Sequence, residues 1–536
     1  MSGLARSLVS LISMLTIAMA AWSSTGTAQS PGWTGVAAGS DDELYLRALQ
    51  LLGTLPTTSW TSRPLANTVL DSLRRVIGAA HPWAIRFAPG NSPNSKHLRW
   101  RGASVDAGRN SAFVWGGNDG ARWQGRGTSG TVSTGMLLRW KPLTIRVEPT
   151  LVYAQNLAFP VLPTESNTSA QFTDRMRPTA IDLPDRFGDK PLQRLDAGES
   201  EIRLEGHGFA SAFSNRALFF GPAIRNPLIL GNNAPGFAHL SFGTIDGVRT
   251  PVGRFAATIV YARLAQSGFA PDKREGSRLA AGTVVSWRPP SGKGFEIGAI
   301  RFYHRDWPAN GLKLSDVQLP FGSLFGDRET TVKAPVDNQL LSLFARANST
   351  RTGFEVFAEF GRNDRSSSLR DLWVEPEHNS AWSAGVLKVF GQRETSRFWT
   401  TRLEYLNGRT TSLERFRAQG TFYEHATLTQ GHTNAGQSLG SPMLERTGGF
   451  EFAVDRWAQH GRTGFMIQER AMPLTRLEGV PADAARAQWA VELNGTRNAQ
   501  GTGFGWRVGA VRDFNRTPGH DVVNYFLGGT LNIGER

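Results

Sequence analysis

The chain has no cysteine among its 536 residues. That excludes a disulfide framework, a thiolate metal site and a cysteine nucleophile together. Long apolar runs are also scarce. Beyond the N-terminal segment no stretch reaches the roughly 18 to 20 apolar residues that a spanning helix needs, and mean hydropathy is −0.29. A helical membrane protein is therefore excluded. Acids are outnumbered: 45 Asp and Glu against 59 Lys and Arg leave a formal charge of +14. Such a surplus attracts anionic polymers or lipid head groups without identifying either. The length suits two or three soluble domains or one large unit.

What is present starts with a targeting signal. Arg6, the apolar run "LVSLISMLTIAMAAW" and the small residues ending "TGTAQS" read as the three regions of a secretory signal, with cleavage after Ala28. The apolar run is short for a membrane anchor. Residues 1–28 are expected to be removed, and an exported chain makes nucleic acid a poor partner.

Residues 29–102 read as a small periplasmic helical domain. "SDDELYLRALQLLG" opens with Ser40 as N-cap and Glu43 at capping-box spacing, and Gly53 is a natural stop. "SRPLANTVLDSLRRVIG" carries Leu65, Val69, Leu73 and Val76 at helical spacing behind Pro64. Helices this short need a surface to pack on.

From residue 103 to 536 the pattern has period two. In "FEVFAEFG" Phe354, Val356, Ala358 and Phe360 alternate with Glu355 and Glu359. In "TIRVEPTLVY" Ile145, Val147, Leu151 and Tyr153 oppose Arg146, Glu148 and Thr150. Eighteen such strands can be marked, among them 143–155, 200–213, 217–222, 239–245 and 253–264. Short connections, including Lys141-Pro142, "SNR" at 214 and "AQHG" at 458, alternate with long ones such as 156–199, 223–238 and 408–446. Short turns on one side, long loops on the other and an even strand count describe an all-β fold: a transmembrane antiparallel β-barrel in the outer membrane. Trp140, Trp287, Trp399 and Trp506 fall beside short connections in the apolar phase, as an interfacial girdle requires. Trp457 is out of phase with Phe450, Phe452 and Val454, which implies a bulge or a shifted boundary. The opposite strand faces carry both signs, among them Arg203, Glu205, Glu355, Arg402, Glu404, Glu451 and Asp455. They serve either as ion pairs lining a lumen or as a polar pathway or sugar-binding surface.

Signals of catalysis are weak. "GQSLG" around Ser438 matches a nucleophile elbow, but Pro442 and a Gly/Thr-rich loop follow where a helix is needed. "GRGTSG" at 125–130 precedes an alternating strand rather than a helix and reads as a turn. His425 and His432 have no evident third metal ligand nearby in sequence. Neither an enzyme activity nor a metal or other cofactor is expected.

Three stretches, "NDGARWQGRG" (118–127), "FFGPAIRNPLILGNNAPGFAHL" (219–240) and "YEHATLTQGHTNAGQSLGSPM" (423–443), resemble recurring segments of the capsule-assembly Wzi family. The resemblance spans nearly all of the mature chain. It implies an eighteen-strand outer-membrane barrel with a small N-terminal helical bundle, acting at the cell surface to hold or organise capsular polysaccharide in a lectin-like way. The expected partners are outer-membrane lipid and capsular or other surface polysaccharide, and the expected state is a monomer. From chemistry and position, Arg225, Asn232, Asn233 and His239 are candidate hydrogen-bonding groups for sugar, and Phe237 a candidate aromatic face. A diffusion porin or substrate-specific channel is the competing class, and a barrel hydrolase the third.

Overall fold

The computed structural model describes residues 36–77, 83, 98–161, 172, 181–270, 276–290, 294–321, 337–363, 373–392, 397–409, 420–425, 427–445, 447–473, 485–499, 502–517 and 519–533. The expected signal segment lies outside the described residues.

The wall is one closed antiparallel sheet. Its strands are β1 (Leu98–Asn110), β2 (Gly127–Trp140), β3 (Leu143–Val147 continuing as Thr150–Ala154), β4 (Leu192–Asp196 continuing as Glu201–Gly206), β5 (Phe209–Ser214) and β6 (His239–Thr244 continuing as Val248–Thr250). There follow β7 (Gly253–Leu264), β8 (Arg278–Arg288), β9 (Phe295–Asp306), β10 (Asp337–Ser349), β11 (Phe354–Asn363) and β12 (Ser380–Phe390). The last six are β13 (Phe398–Asn407), β14 (Gly448–Ala458), β15 (Gly461–Pro473), β16 (Ala485–Ala499), β17 (Thr502–Thr517) and β18 (His520–Ile533). With the three interrupted strands each counted once, the barrel has eighteen. β18 returns to pair with β1, Ile533 opposite Ala103, so no edge is left open. Closure lets every strand pair its backbone without water, the condition for crossing hydrocarbon.

The count agrees with the sequence pattern, but two strands differ from it. The expected strand 200–213 is a hairpin. Gly206 pairs with Phe209 across His207 (φ 50°) and Gly208 (φ 83°), a two-residue turn with both centres left-handed. The expected strand 217–222 is not in the wall. Its Phe219 and Phe220 pair with Arg63 and Ser62 as a two-stranded ribbon. "SNR" at 214 is accordingly the entry to a long loop and not a short turn.

Alternation behaves as pleat geometry demands. Along β11, Phe354, Val356 and Phe360 are exposed on the outside, while Glu355 and Glu359 are buried within. Trp140, Trp399 and Trp506 point outward at the short-turn end. Trp382 with Tyr405, and Phe450 with Trp489, form ring pairs toward the other end. Trp457 points inward and is fully buried. It packs on Trp83, Tyr45 and Phe398 at 4.8, 5.7 and 5.7 Å, and its Nε1 donates to Thr400 Oγ1. Neither a bulge nor a shifted boundary is needed; the ring is a docking surface for the N-terminal part.

That part contains α1 (Asp41–Leu51) and α2 (Asn67–Val76). Ser40 Oγ accepts from Glu43 N–H, and the Glu43 carboxylate reaches back to Gly39 N–H at 2.9 Å, one residue beyond the N-cap donor of the usual capping box. Pro64 does not open α2. The cap of α2 comes from the barrel instead: the Glu205 carboxylate accepts from Asn67 and Thr68 N–H at 2.9 and 3.0 Å, where the helix dipole favours an anion. Helical Leu44, Leu46, Leu49 and Leu73 share one core with Phe357, Leu387 and Val389 of β11 and β12. The short helices find their packing surface inside the short-turn end of the barrel. Among the described residues, no helix is long and apolar enough to cross a membrane.

Candidate functional site

A barrel of eighteen strands would enclose water unless something fills it. Two long loops of this chain do so. Leu228, Ile229 and Leu230 from the loop 215–238 are buried against Phe422, Tyr423, Leu439, Met443 and Leu444 from the loop 408–447. The two are stitched by Tyr423 OH donating to Leu228 O at 2.7 Å and by Gly231 N–H donating to Leu439 O at 2.8 Å. His432 Nε2 donates to Ile229 O at 2.7 Å; a carbonyl only accepts, so this nitrogen carries the proton. Burial pushes the His432 pKa down to about 3. Gly440 is needed for contact: a Cβ there would lie 2.1 Å from the Tyr423 hydroxyl.

Charges on the wall and on the helical part hold this plug. The buried Glu404 carboxylate on β13 accepts from the N–H groups of Ile224, Arg225 and Asn226 at 2.7, 3.1 and 2.9 Å, and from Asn226 Nδ2 at 2.9 Å. From below, Arg47 donates to Pro222 O at 2.6 Å and to Ala223 O at 3.2 Å. Arg63 donates to Gly221 O and Ala223 O, both at 2.8 Å, and stacks on the Phe219 ring. Arg47 is anchored in turn to Glu355 on β11. Backbone donors of 224–226 and acceptors of 221–223 are thereby satisfied in a loop far from water.

The five sequence candidates do not converge on one cavity. Arg225 pairs with Glu451 at 3.4 Å, which raises its pKa further, and lines a cavity of about 200 Å³ that also includes Asp41, Arg462, Glu492 and Arg507. Asn232 donates to Ala38 O, bracing the N-terminal part. Asn233 is buried and donates to Ser438 Oγ at 2.8 Å and Glu445 Oε1 at 3.2 Å, while its own oxygen accepts from Asn118 N–H. The Phe237 ring lies in the core. His239 is buried, its Nδ1 2.9 Å from Phe237 O. Of the five, Asn233 alone reaches the cavity that opens among the long loops.

That mouth cavity, about 140 Å³, is the candidate site. Its wall comes from the β1–β2 loop, the segment 183–185, the 436–445 segment and the loop-side ends of β15, β16 and β17. The β1–β2 loop is folded by its own chemistry. Asp119 accepts from Gly117 N–H at 2.8 Å, Asn118 is left-handed at φ 60°, and Gly120 N–H donates to Asn232 O at 2.8 Å. This turn presents Trp123, whose ring meets Phe187 edge-on at 4.7 Å. Arg470 stacks on Trp115 and donates to Gly116 O; Arg486 forms a two-pronged pair with Asp513 at 2.8 and 2.6 Å. Trp123 Nε1 and Gln124 Nε2 have no hydrogen-bond partner among the described residues. The half-buried Trp123 indole, Phe159, the Gln124 amide and four arginines (Arg122, Arg470, Arg486 and Arg516) make a polar cavity with aromatic faces, set against Asp119, Asp185 and Glu445. Trp123 and Gln124 sit within "NDGARWQGRG", so the signal was in the sequence, in the turn that precedes "GRGTSG".

Ser438 lies in a small hairpin, Thr433–Asn434 paired with Gln437–Ser438, and not on a strand-to-helix elbow. It is fully buried and donates to Glu445 Oε1 at 2.6 Å.

No protein-family model matches the chain, and no curated protein matches it. Among solved structures it is similar to Wzi of Escherichia coli, an outer-membrane protein involved in group 1 capsule assembly and described as a carbohydrate-binding β-barrel. The TM-score is 0.62 at 13% identity, over 94% of this chain and 99% of that one. It is also similar to OpdK of Pseudomonas aeruginosa (TM-score 0.39, 8% identity, 82% of this chain and 99% of that one) and to OccAB4 of Acinetobacter baumannii (0.38, 8%, 83% and 100%). At 13% identity the likeness to Wzi establishes the fold alone, that of an outer-membrane β-barrel.

Proposed function

We propose that this chain binds surface polysaccharide at its outer mouth and is closed to free diffusion. The observation that carries the reading is the joint one: loops fill the lumen, and above them a small cavity presents the Trp123 ring with amide and guanidinium donors. Sugars are recognised by such a pairing, a ring face for C–H surfaces and fixed donors for hydroxyl and carboxylate oxygens. The carbohydrate binding named for Wzi, together with the sequence resemblance to that family, supports capsular or other surface polysaccharide as the ligand. In this reading Asn233 shapes the cavity wall, while Arg225, Asn232, Phe237 and His239 hold the plug and barrel in place. The role is non-enzymatic.

The test is a glycan array probed with the purified barrel, followed by titration of the best glycan against Trp123→Ala. Loss of the ring is expected to weaken binding by on the order of tenfold. Steady current through the wild-type protein in planar bilayers, with no glycan bound at any concentration, would replace this reading with a diffusion channel.

A further inference from the structure

The described part of the loop that leaves β9 turns down over the outside of the wall. Tyr303 and Gln339 fall in the outward phase of β9 and β10, yet both are buried. What covers them is the segment 307–321, whose end is a 3₁₀ helix, Leu314–Phe321. It is tied to outward-facing side chains on two strands. Tyr261 OH on β7 donates to Val317 O at 2.7 Å. On β9, Arg301 donates to Pro320 O at 3.3 Å and to Gln339 Oε1 at 2.8 Å, and Arg305 pairs with Asp316.

The segment is amphipathic in an unusual sense. Asp316 and the carbonyls of Val317 and Pro320 face the protein, and Leu312, Leu314, Val317 and Phe321 point away from it, exposed, with Leu314 at 87%. The wall beside it faces hydrocarbon, and the long-loop end of the strands faces the outer leaflet. Around the apolar row stand four outward cations, Arg263, Arg301, Arg305 and Lys313. Arg263 and Arg305 share one row across β7, β8 and β9, because each pairs with Leu279. Lys313 N–H donates to the same Asp316 that holds Arg305. The described acids on this face are Asp316 and Asp337, so it keeps a net charge of +2 (four cations less two acids). Asp306 falls in the inward phase, opposite Arg278.

We propose that this strap and its cations form a docking surface for a phosphorylated lipid of the outer leaflet. Acyl chains lie against Leu312, Leu314, Val317 and Phe321. The phosphate sits against Arg263 and Lys313, with Arg305 behind them. Apolar contact beside cations at the head-group level is the combination that holds an anionic lipid. The proposal does not depend on the polysaccharide reading, since the surface lies on the outside of the wall and not at the mouth.

The test uses the full-length protein, stripped of lipid in detergent and titrated by native mass spectrometry. The probes are lipid A, its dephosphorylated form with the same acyl chains, and inorganic phosphate as competitor. Lipid A is expected to bind, and R263S/K313S is expected to weaken it by on the order of tenfold. The dephosphorylated lipid should lose a similar factor against the wild type. Leu314→Asn, which leaves all four cations, should also weaken binding, and the heat-modifiable mobility of each variant checks that its barrel is closed. Equal affinity for the phosphorylated and dephosphorylated lipids, unchanged binding by both variants, or displacement by inorganic phosphate would overturn the proposal.

Discussion

Glu404 is the strongest single hold on the plug, and its removal makes a quantitative prediction. Its carboxylate is buried and takes three consecutive backbone N–H groups at 2.7 to 3.1 Å. A hydrogen bond to a charged group is worth about 1.5–3 kcal/mol, and a buried donor left alone costs about 1–3 kcal/mol. The three bonds share one acceptor and are not additive, so Glu404→Ala should cost the closed plug about 4 kcal/mol. That shifts the balance between closed and released plug by about a thousandfold. The barrel wall has its own ladder and should survive. Hydrogen exchange in 221–230 should therefore accelerate by up to about that factor while exchange in β11 and β13 stays slow. Planar-bilayer recordings should show openings that the wild type lacks. Glu404→Gln keeps one carbonyl acceptor and should fall between. Unchanged protection of 221–230 in a correctly closed Glu404→Ala barrel would refute the idea that this carboxylate holds the loop.

Three further outcomes follow from the same geometry. Trp457→Ala removes a fully buried ring at the docking surface of the helical part and should cost about 3–5 kcal/mol, read as proteolytic release of 36–77; Trp399→Ala, outward and half exposed, should leave that segment protected. The folded pKa of His432, about 3, lies below the unfolded value of about 6.5. The released state therefore binds the extra proton, so the closed plug loses stability as pH falls from about 6.5 toward 3 and is fully stable above that window. Exchange of 228–231 against pH should show this slope, and His432→Gln should flatten it. Ser438→Ala removes a buried hydrogen bond to Glu445 and should loosen the mouth hairpin without removing any esterase activity, which an esterase assay on both proteins checks.

The wall was legible because alternation is a local property: Phe354, Glu355 and Val356 declare their faces with no knowledge of their neighbours. The two strands that differ show where local reading stops. The hairpin at 206–209 has alternating residues on both sides of a two-residue turn, and His207 is a poor advertisement for a left-handed centre. β4 was further hidden by its interruption between Asp196 and Glu201. Phe219 and Phe220 do make a strand, but with Ser62 and Arg63 inside the barrel, a pairing no period can reveal. The girdle tryptophans followed from phase, and the out-of-phase Trp457 was a true signal whose meaning needed its partners, Tyr45 and Trp83.

The lumen-facing charges show why the site was harder to read than the wall. Their alternation marked Glu205, Glu355 and Glu404 as inward but left two uses open, ion pairs between strands or a polar pathway. Arg402 with Glu451 is a pair of the first kind, at 2.7 Å. Glu355 with Arg346 is another, at 2.5 Å, but all three glutamates also hold something beyond the wall. Glu205 caps α2, Glu355 holds Arg47 and through it the plug, and Glu404 binds the plug backbone directly. Each partner lies well over a hundred residues away in sequence, so the residue type was visible and its purpose was not. The same logic gives Arg225, Asn232 and His239 internal partners in Glu451, Ala38 O and Phe237 O. Amide and imidazole groups in a Gly- and Pro-rich loop fit a ligand contact only if the loop faces solvent. Here carbonyls at 221–223 and N–H groups at 224–226 are bound by Arg47, Arg63 and Glu404, so the loop faces inward and its polar side chains complete that internal network. In the proposed reading the sugar-facing role falls to the β1–β2 loop, whose Trp123 and Gln124 line the mouth cavity.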